Sequence, residues 1–76
     1  MRGEKIMVCV VLSNYFSNNY FGVYSSPLRA REAILNFASN DENIRFCFHD
    51  AAYGYVAITN DNKTYRFDIY METIDS

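Results

Sequence analysis

Tryptophan is absent from the 76 residues, proline and histidine occur once each, cysteine twice and glycine three times. Each scarcity excludes something. Cys9 and Cys47 lie inside apolar runs, and no CxxC or Cys/His cluster accompanies them, so neither a zinc module nor a secreted disulfide framework is spelled out. Two reduced, partly buried thiols are expected, with a cross-strand disulfide as the rival if the two strands were neighbours. Long hydrophobic runs are missing too. The longest, Ile6 to Leu12, has seven residues, where about 20 are needed to cross a bilayer. It lacks a small-residue cleavage site and leads straight into a polar loop, unlike a signal peptide. No membrane partner and a cytoplasmic location are therefore expected. An excess of one charge is also lacking: seven Lys/Arg stand against nine Asp/Glu, a net −2. That is too mild for a polyanionic mimic of nucleic acid and too acidic for a general phosphate binder. The length excludes two domains or a Rossmann fold, leaving residues 1–76 as one domain.

What is present is apolar and aromatic. Half of the residues are hydrophobic, and seven Tyr and six Phe set the chain apart from a disordered segment, which would be poor in both. Ile6–Leu12 is apolar on both alternating sets, the pattern of a central strand covered on both faces. A polar loop, Ser13 to Asn19, precedes a second strand over Tyr20–Tyr24, in which Gly22 marks a bulge or a close packing spot. Ser26 then caps a helix opened by Pro27. Its apolar stripe is Ala30, Ala33, Ile34, Phe37 and Ala38, and Ser39 to Glu42 end it.

Ile44, Phe46 and Phe48 alternate with Arg45, Cys47 and His49 as a half-buried strand. A further strand follows over Tyr53–Thr59, then a turn at Asn60–Lys63. The last strand runs from Thr64 to about Thr73, with Tyr65, Phe67, Ile69 and Met71 on one face. The expectation is an α+β fold, ββαβββ: a mainly antiparallel five-stranded sheet with one helix on one face.

The stretch Phe21-Gly22-Val23-Tyr24-Ser25-Ser26, followed by Ala30, Ala33, Ile34 and Phe37, resembles a pattern of small phage and prophage proteins. The closing Tyr70–Asp75 resembles their final strand, so the likeness covers about residues 6–40 and 64–75. It implies a protein of the host cell cytosol that binds and inhibits a host or bacterial defence factor, anti-CRISPR-like in style. No functional residue is carried over from it.

The residues themselves offer little chemistry. His49 beside Asp50 is the one candidate general base, but neighbours on a strand point to opposite faces. Cys47, His49, Asp50 and Asp68 match no metal-ligand spacing. Ser25, Ser26 and Arg29, with Asn18 or Asn19 near, are placed to meet an anion at the helix start, though a plain capped helix explains them as well. No enzyme activity, cofactor or metal is expected.

A surface remains. One helix covers one side of a sheet, and the helix-facing sets are expected to be Ile44/Phe46/Phe48, Tyr65/Phe67/Ile69/Met71 and one register of the first strand. The other face would carry Cys47, Tyr55, Ala57 and Tyr70, with either Met7/Cys9/Val11 or Ile6/Val8/Val10, rimmed by Arg45, Arg66, His49 and Asp68. Tyr and Arg recur at binding hot spots. The loop residues Tyr15, Phe16 and Tyr20 form a second contact surface, unless Phe16 tucks under the sheet edge. Stoichiometric binding of a protein partner is the leading expectation. Homodimerisation through the same face or a free edge strand is a further consequence. The alternatives are a small nucleotide or single-stranded nucleic-acid binder, with Tyr55, Tyr70, Arg45 and Arg66 as a stacking platform, and a structural oligomerisation module. Net negative charge weighs against nucleic acid.

Overall fold

The computed structural model describes residues 5–51 and 54–75. Elements follow in the order β1 (Lys5–Ser13), β2 (Gly22–Tyr24), α1 (Pro27–Asn40), β3 (Ile44–Ala51), β4 (Gly54–Thr59) and β5 (Thr64–Asp75). The strands form one sheet, β2-β1-β5-β4-β3, antiparallel at every neighbouring pair. This is the expected α+β fold, ββαβββ. Tyr53, expected to open β4, lies outside the described residues.

The helix begins where the sequence signals it. The Ser26 hydroxyl accepts the Arg29 N–H at 3.2 Å, its backbone is extended, and Pro27 opens the first turn. Ala30, Ile34 and Ala38 are buried, and Leu35 and Phe37 pack partly against the same core. Small alanines let the helix approach the sheet closely. Ile34 and Phe67 supply much of the buried volume.

Registers assign each strand residue to a face, because directly opposed residues share one. Cys9 pairs with Tyr24 and Met71, Val11 with Gly22 and Ile69, and Ser13 with Phe67. Tyr55 pairs with Phe67 and His49, and Ala57 with Tyr65 and Cys47. These residues form the helix-side face, and the core cluster is drawn from them. The first strand therefore buries Cys9 and Val11 and turns Ile6, Val8 and Val10 to the bare side.

Two expectations for β3 are corrected. Phe46 and Phe48 face away from the helix, while Cys47 and His49, with Tyr55 and Ala57 of β4, lie on the helix side. The reason is a register shift between Ile44 and Phe46, where Ile44 pairs with Thr59 but Phe46 already pairs with Ile58. The extra residue, Arg45, flips the alternation, so Ile44 packs on the core and the two phenylalanines do not. A second shift follows between His49 and Ala51, leaving Asp50 without a partner in the ladder. Cys9 on β1 and Cys47 on β3 have two strands between them, and both thiols are free.

The Ser13–Phe21 segment folds over one end of the helix-side face. Phe21 N–H donates to Val11 C=O at 2.9 Å, and Asn19 takes a left-handed φ of 60°. Asn18 accepts the Tyr20 N–H at 3.3 Å. These local bonds hold Tyr20 in the loop and shorten β2 to three residues. Gly22 is the close packing spot: a Cβ there would stand 2.7 Å from the Tyr24 hydroxyl.

The domain is long for its size. Its Cα radius of gyration is 13.8 Å and its long axis 52 Å, against a radius of about 11 Å for a compact chain of this length. The stagger of the sheet explains this. β2 covers β1 only from Cys9 to Val11, and β4 covers β5 only from Thr64 to Asp68. Lys5–Val8 and Glu72–Asp75 therefore extend as a ribbon of two strands, about 13 Å long at a strand rise of 3.3 Å per residue.

Candidate protein-binding face

The bare face of the sheet divides into two apolar patches with a charged row between them. The upper patch is built by β3 and β4. Phe46 stands opposite Ile58 and Phe48 opposite Val56, with Arg66 of β5 on the other side of Val56. The lower patch is built by β1, β2 and β5. Val23, Val10 and Tyr70 form one row across three strands, and Ile6 faces Ile74 further down. Phe46 keeps 56% of its surface exposed, Phe48 45%, Tyr70 48% and Val23 49%. On the helix side Cys9, Val11, Ala57 and Phe67 are at 0%.

Between the patches, Arg66 binds two carboxylates, Asp50 at 2.9 Å and Asp68 at 3.2 Å. Asp50 is the unpaired residue of the second β3 bulge. Its hydrogen bonds to the two carboxylates, Asp50 first, push the Arg66 guanidinium above its ordinary value, so its charge is permanent. The trio is nevertheless net negative by one unit. At this partial exposure water screens each pair, so the row orients side chains more than it stabilises the fold. The Arg66 backbone N–H is taken by the Asn14 side chain at 2.8 Å, which ends the β1 side of β5 just past Ser13.

The expected site residues scatter. Arg66, Asp68 and Tyr70 share the bare face, on alternating residues of β5. Arg45 sits at the bulge, its guanidinium donating to Asn62 and lying 5.1 Å from the Phe46 ring centre. His49 and Tyr55 stack on the helix side with ring centres 5.0 Å apart, and Tyr55 is buried.

Tyr15 and Phe16 belong to the core periphery. Phe16 tucks in against Phe21, Phe37 and Phe67 at centroid distances of 5.4 to 6.3 Å. Tyr15 packs edge-on to Tyr65 at 5.0 Å and donates to Asp41 at 3.1 Å. Burial raises its phenol above the ordinary value; Asp41 adds to that, while an Asn43 hydrogen bond opposes it. Of the three aromatics Tyr15, Phe16 and Tyr20, Tyr20 is the one left exposed.

Ile6 belonged to one of the two registers offered for the bare face, whereas Phe46, Phe48, Val23 and Ile74 were missed as surface. For Ile74 the signal was the length of β1 and β5 beyond any covering element. For the phenylalanines no local signal existed, because regular alternation from Ile44 places them in the core.

The groups suited to chemistry are engaged or unassisted. Among the described residues no three His, Cys, Asp or Glu side chains stand close enough to hold a metal ion. Burial pushes the Cys47 thiol up, which keeps it protonated and weakly nucleophilic. A shallow cleft of about 400 Å³ is lined by Tyr15, Asn43, Thr59, Asn60, Asp61, Lys63 and Tyr65. Two of its polar groups are engaged within the chain: Thr59 donates to Asp61, and the Asn60 amide to Glu42 C=O at 2.7 Å.

No helix among the described residues is long and apolar enough to cross a membrane. Comparison with family models, with curated proteins and with solved structures finds no match for the chain.

Proposed function

We propose that this chain acts by stoichiometric protein–protein binding through the bare face of its sheet. The carrying observation is the asymmetry of the sheet: one face is closed by the helix and the aromatic loop, while the other leaves Phe46, Phe48, Val23 and Tyr70 about half exposed. Covering the remainder of each side chain is worth on the order of 1 kcal/mol, and several such anchors around an oriented polar group give a specific interface. The surplus carboxylate of the Asp50–Arg66–Asp68 row favours a partner that presents a cation or an N–H donor between two apolar contacts.

The resemblance to small phage proteins makes that partner a host or defence factor, which binding would inhibit. The nucleic-acid alternative has less support, because Arg66 and Arg45 are both held by partners of this chain and a phosphate backbone would have to displace them.

The test is capture from bacterial lysate by the wild-type chain and by a Phe48→Arg/Tyr70→Arg variant shown by circular dichroism to be folded. A protein held in fixed stoichiometry by the first and lost by the second is the expected result. Equal retention by both overturns the assignment.

A further inference from the structure

The formal edges of this sheet are blunted. β2 is three residues long, and β3 is interrupted by two bulges. Both are ways in which strands avoid pairing with strangers. The outer side of β5 has no such protection. β4 leaves it at Asp68, and among the described residues nothing pairs with Ile69–Asp75 on that side. The register to β1 is unbroken over this stretch, and the segment Ile69-Tyr70-Met71-Glu72-Thr73-Ile74-Asp75 contains neither proline nor lysine. The ribbon it shares with β1 is covered on neither face at its end, where Ile6, Met7 and Ile74 are all exposed. A two-stranded ribbon is marginal in water by itself.

We propose that two copies of this chain pair through this edge, antiparallel about a two-fold axis at Thr73. Such an axis stands normal to the sheet and brings one residue against its own copy. A centre at Met71 sets Ile74 of the second copy against Asp68, a place Gly54 already fills. A centre at Glu72 opposes two carboxylates directly, which destabilises a strand pair. The centre at Thr73 avoids both: Thr73 meets Thr73, Glu72 meets Ile74, and the row of Met71 remains clear of β4. Cross-strand threonine pairs are favourable. Of these three centres the edge accepts only the one at Thr73, and the product joins the two sheets through the overhanging ends of their β5 strands, with both bare faces on the same side.

This pairing is independent of the binding reading, because it uses backbone groups at an edge and leaves Phe46, Phe48 and Tyr70 outward. A contact of about five rungs falls at the low end of interface sizes, below about 1,200 Å² in total, so the dimer forms by mass action.

Sedimentation of the full chain over about a hundredfold range of concentration should show a monomer giving way to a dimer. Thr73→Lys opposes two ammonium groups at the axis and should weaken association about tenfold or more, with unchanged circular dichroism. Phe48→Arg should leave it unchanged. On mild oxidation Thr73→Cys should cross-link to dimer faster than Met71→Cys or Glu72→Cys, with the wild type as the control for Cys9 and Cys47. A wild type that stays monomeric throughout overturns the proposal and leaves the edge to a strand from another protein. So does a dimer that Thr73→Lys does not weaken. Fastest cross-linking at position 71 or 72 overturns the register.

Discussion

The two faces of this sheet are made of similar residues and live in different surroundings. On the helix side Phe67 touches Phe16, Phe21 and Phe37, with ring centres 5.3 to 6.3 Å away, and none of its surface reaches solvent. On the other side Phe48 has Val56 beside it and no layer above. Composition is therefore a poor guide to role in a chain this small. A single helix with three buried positions, together with one aromatic loop, closes only part of the sheet in a domain 52 Å long. Apolar residues beyond that reach become surface.

The comparison can be broken experimentally, beginning with its most costly side. Phe67→Ala should lose about 3–5 kcal/mol, a large part of the roughly 4–11 kcal/mol expected for 76 residues. In urea titrations it should be unfolded or nearly so. Ile34→Ala comes next, at about 2–4 kcal/mol. The matching change on the bare face, Phe48→Ala, should cost only about 1 kcal/mol. A cost near that of Phe67→Ala would mean the two faces are equally buried, and the asymmetry would be gone. Tyr70→Ala combined with Arg66→Ala should likewise leave the fold intact by circular dichroism, while abolishing partner capture.

Smaller effects sharpen the boundary between core and surface. Gly22→Ala should cost under about 1 kcal/mol, because the added methyl displaces only the far end of the Tyr24 side chain at the β2 edge; a mutant as stable as the wild type would show that the ring moves freely.

Tyr15→Phe should cost about 1 kcal/mol by removing the hydrogen bond to Asp41. The same variant changes the alkaline limb. The Tyr15 phenol is raised in the fold, so it contributes stability that is complete below the unfolded value of about 10 and is lost as pH rises through the higher folded value. Stability of the wild type should fall more steeply there than that of Tyr15→Phe.

The smallest effect belongs to Asp61. The Thr59 hydroxyl holds its carboxyl below the ordinary value, so its contribution is complete above about pH 4 and is lost as pH falls through the lower folded value. Asp61→Asn should flatten the acid limb of a denaturation series by lowering the neutral midpoint slightly while leaving the most acidic one unchanged.

Much of this was legible in the residues. Ser26 and Pro27 mark the helix start because a hydroxyl acceptor and a missing N–H both suit the first turn. Ala30, Ile34 and Ala38 mark its buried stripe through their spacing. The Asn60–Lys63 turn is written in residues that tolerate a left-handed backbone, and Asn62 adopts φ 67°. Arg66, Asp68 and Tyr70 were placed on the bare face by alternation from the apolar set of β5. His49, Phe46 and Phe48 were misassigned together, because a bulge at Arg45 reverses parity along β3. Tyr55 was misassigned separately: its unbroken register to β5 sets it opposite Phe67, on the helix side.

Element type, element order and the need for one buried face all follow from local propensity and periodicity, and these act over a few residues that the chain itself spells out. Which face each strand buries, how far β1 and β5 run past their neighbours, and the freedom of the β5 edge depend on register between strands up to 70 residues apart. Register is a property of the assembled sheet. A one-residue shift in pairing leaves every local preference satisfied and exchanges core for surface.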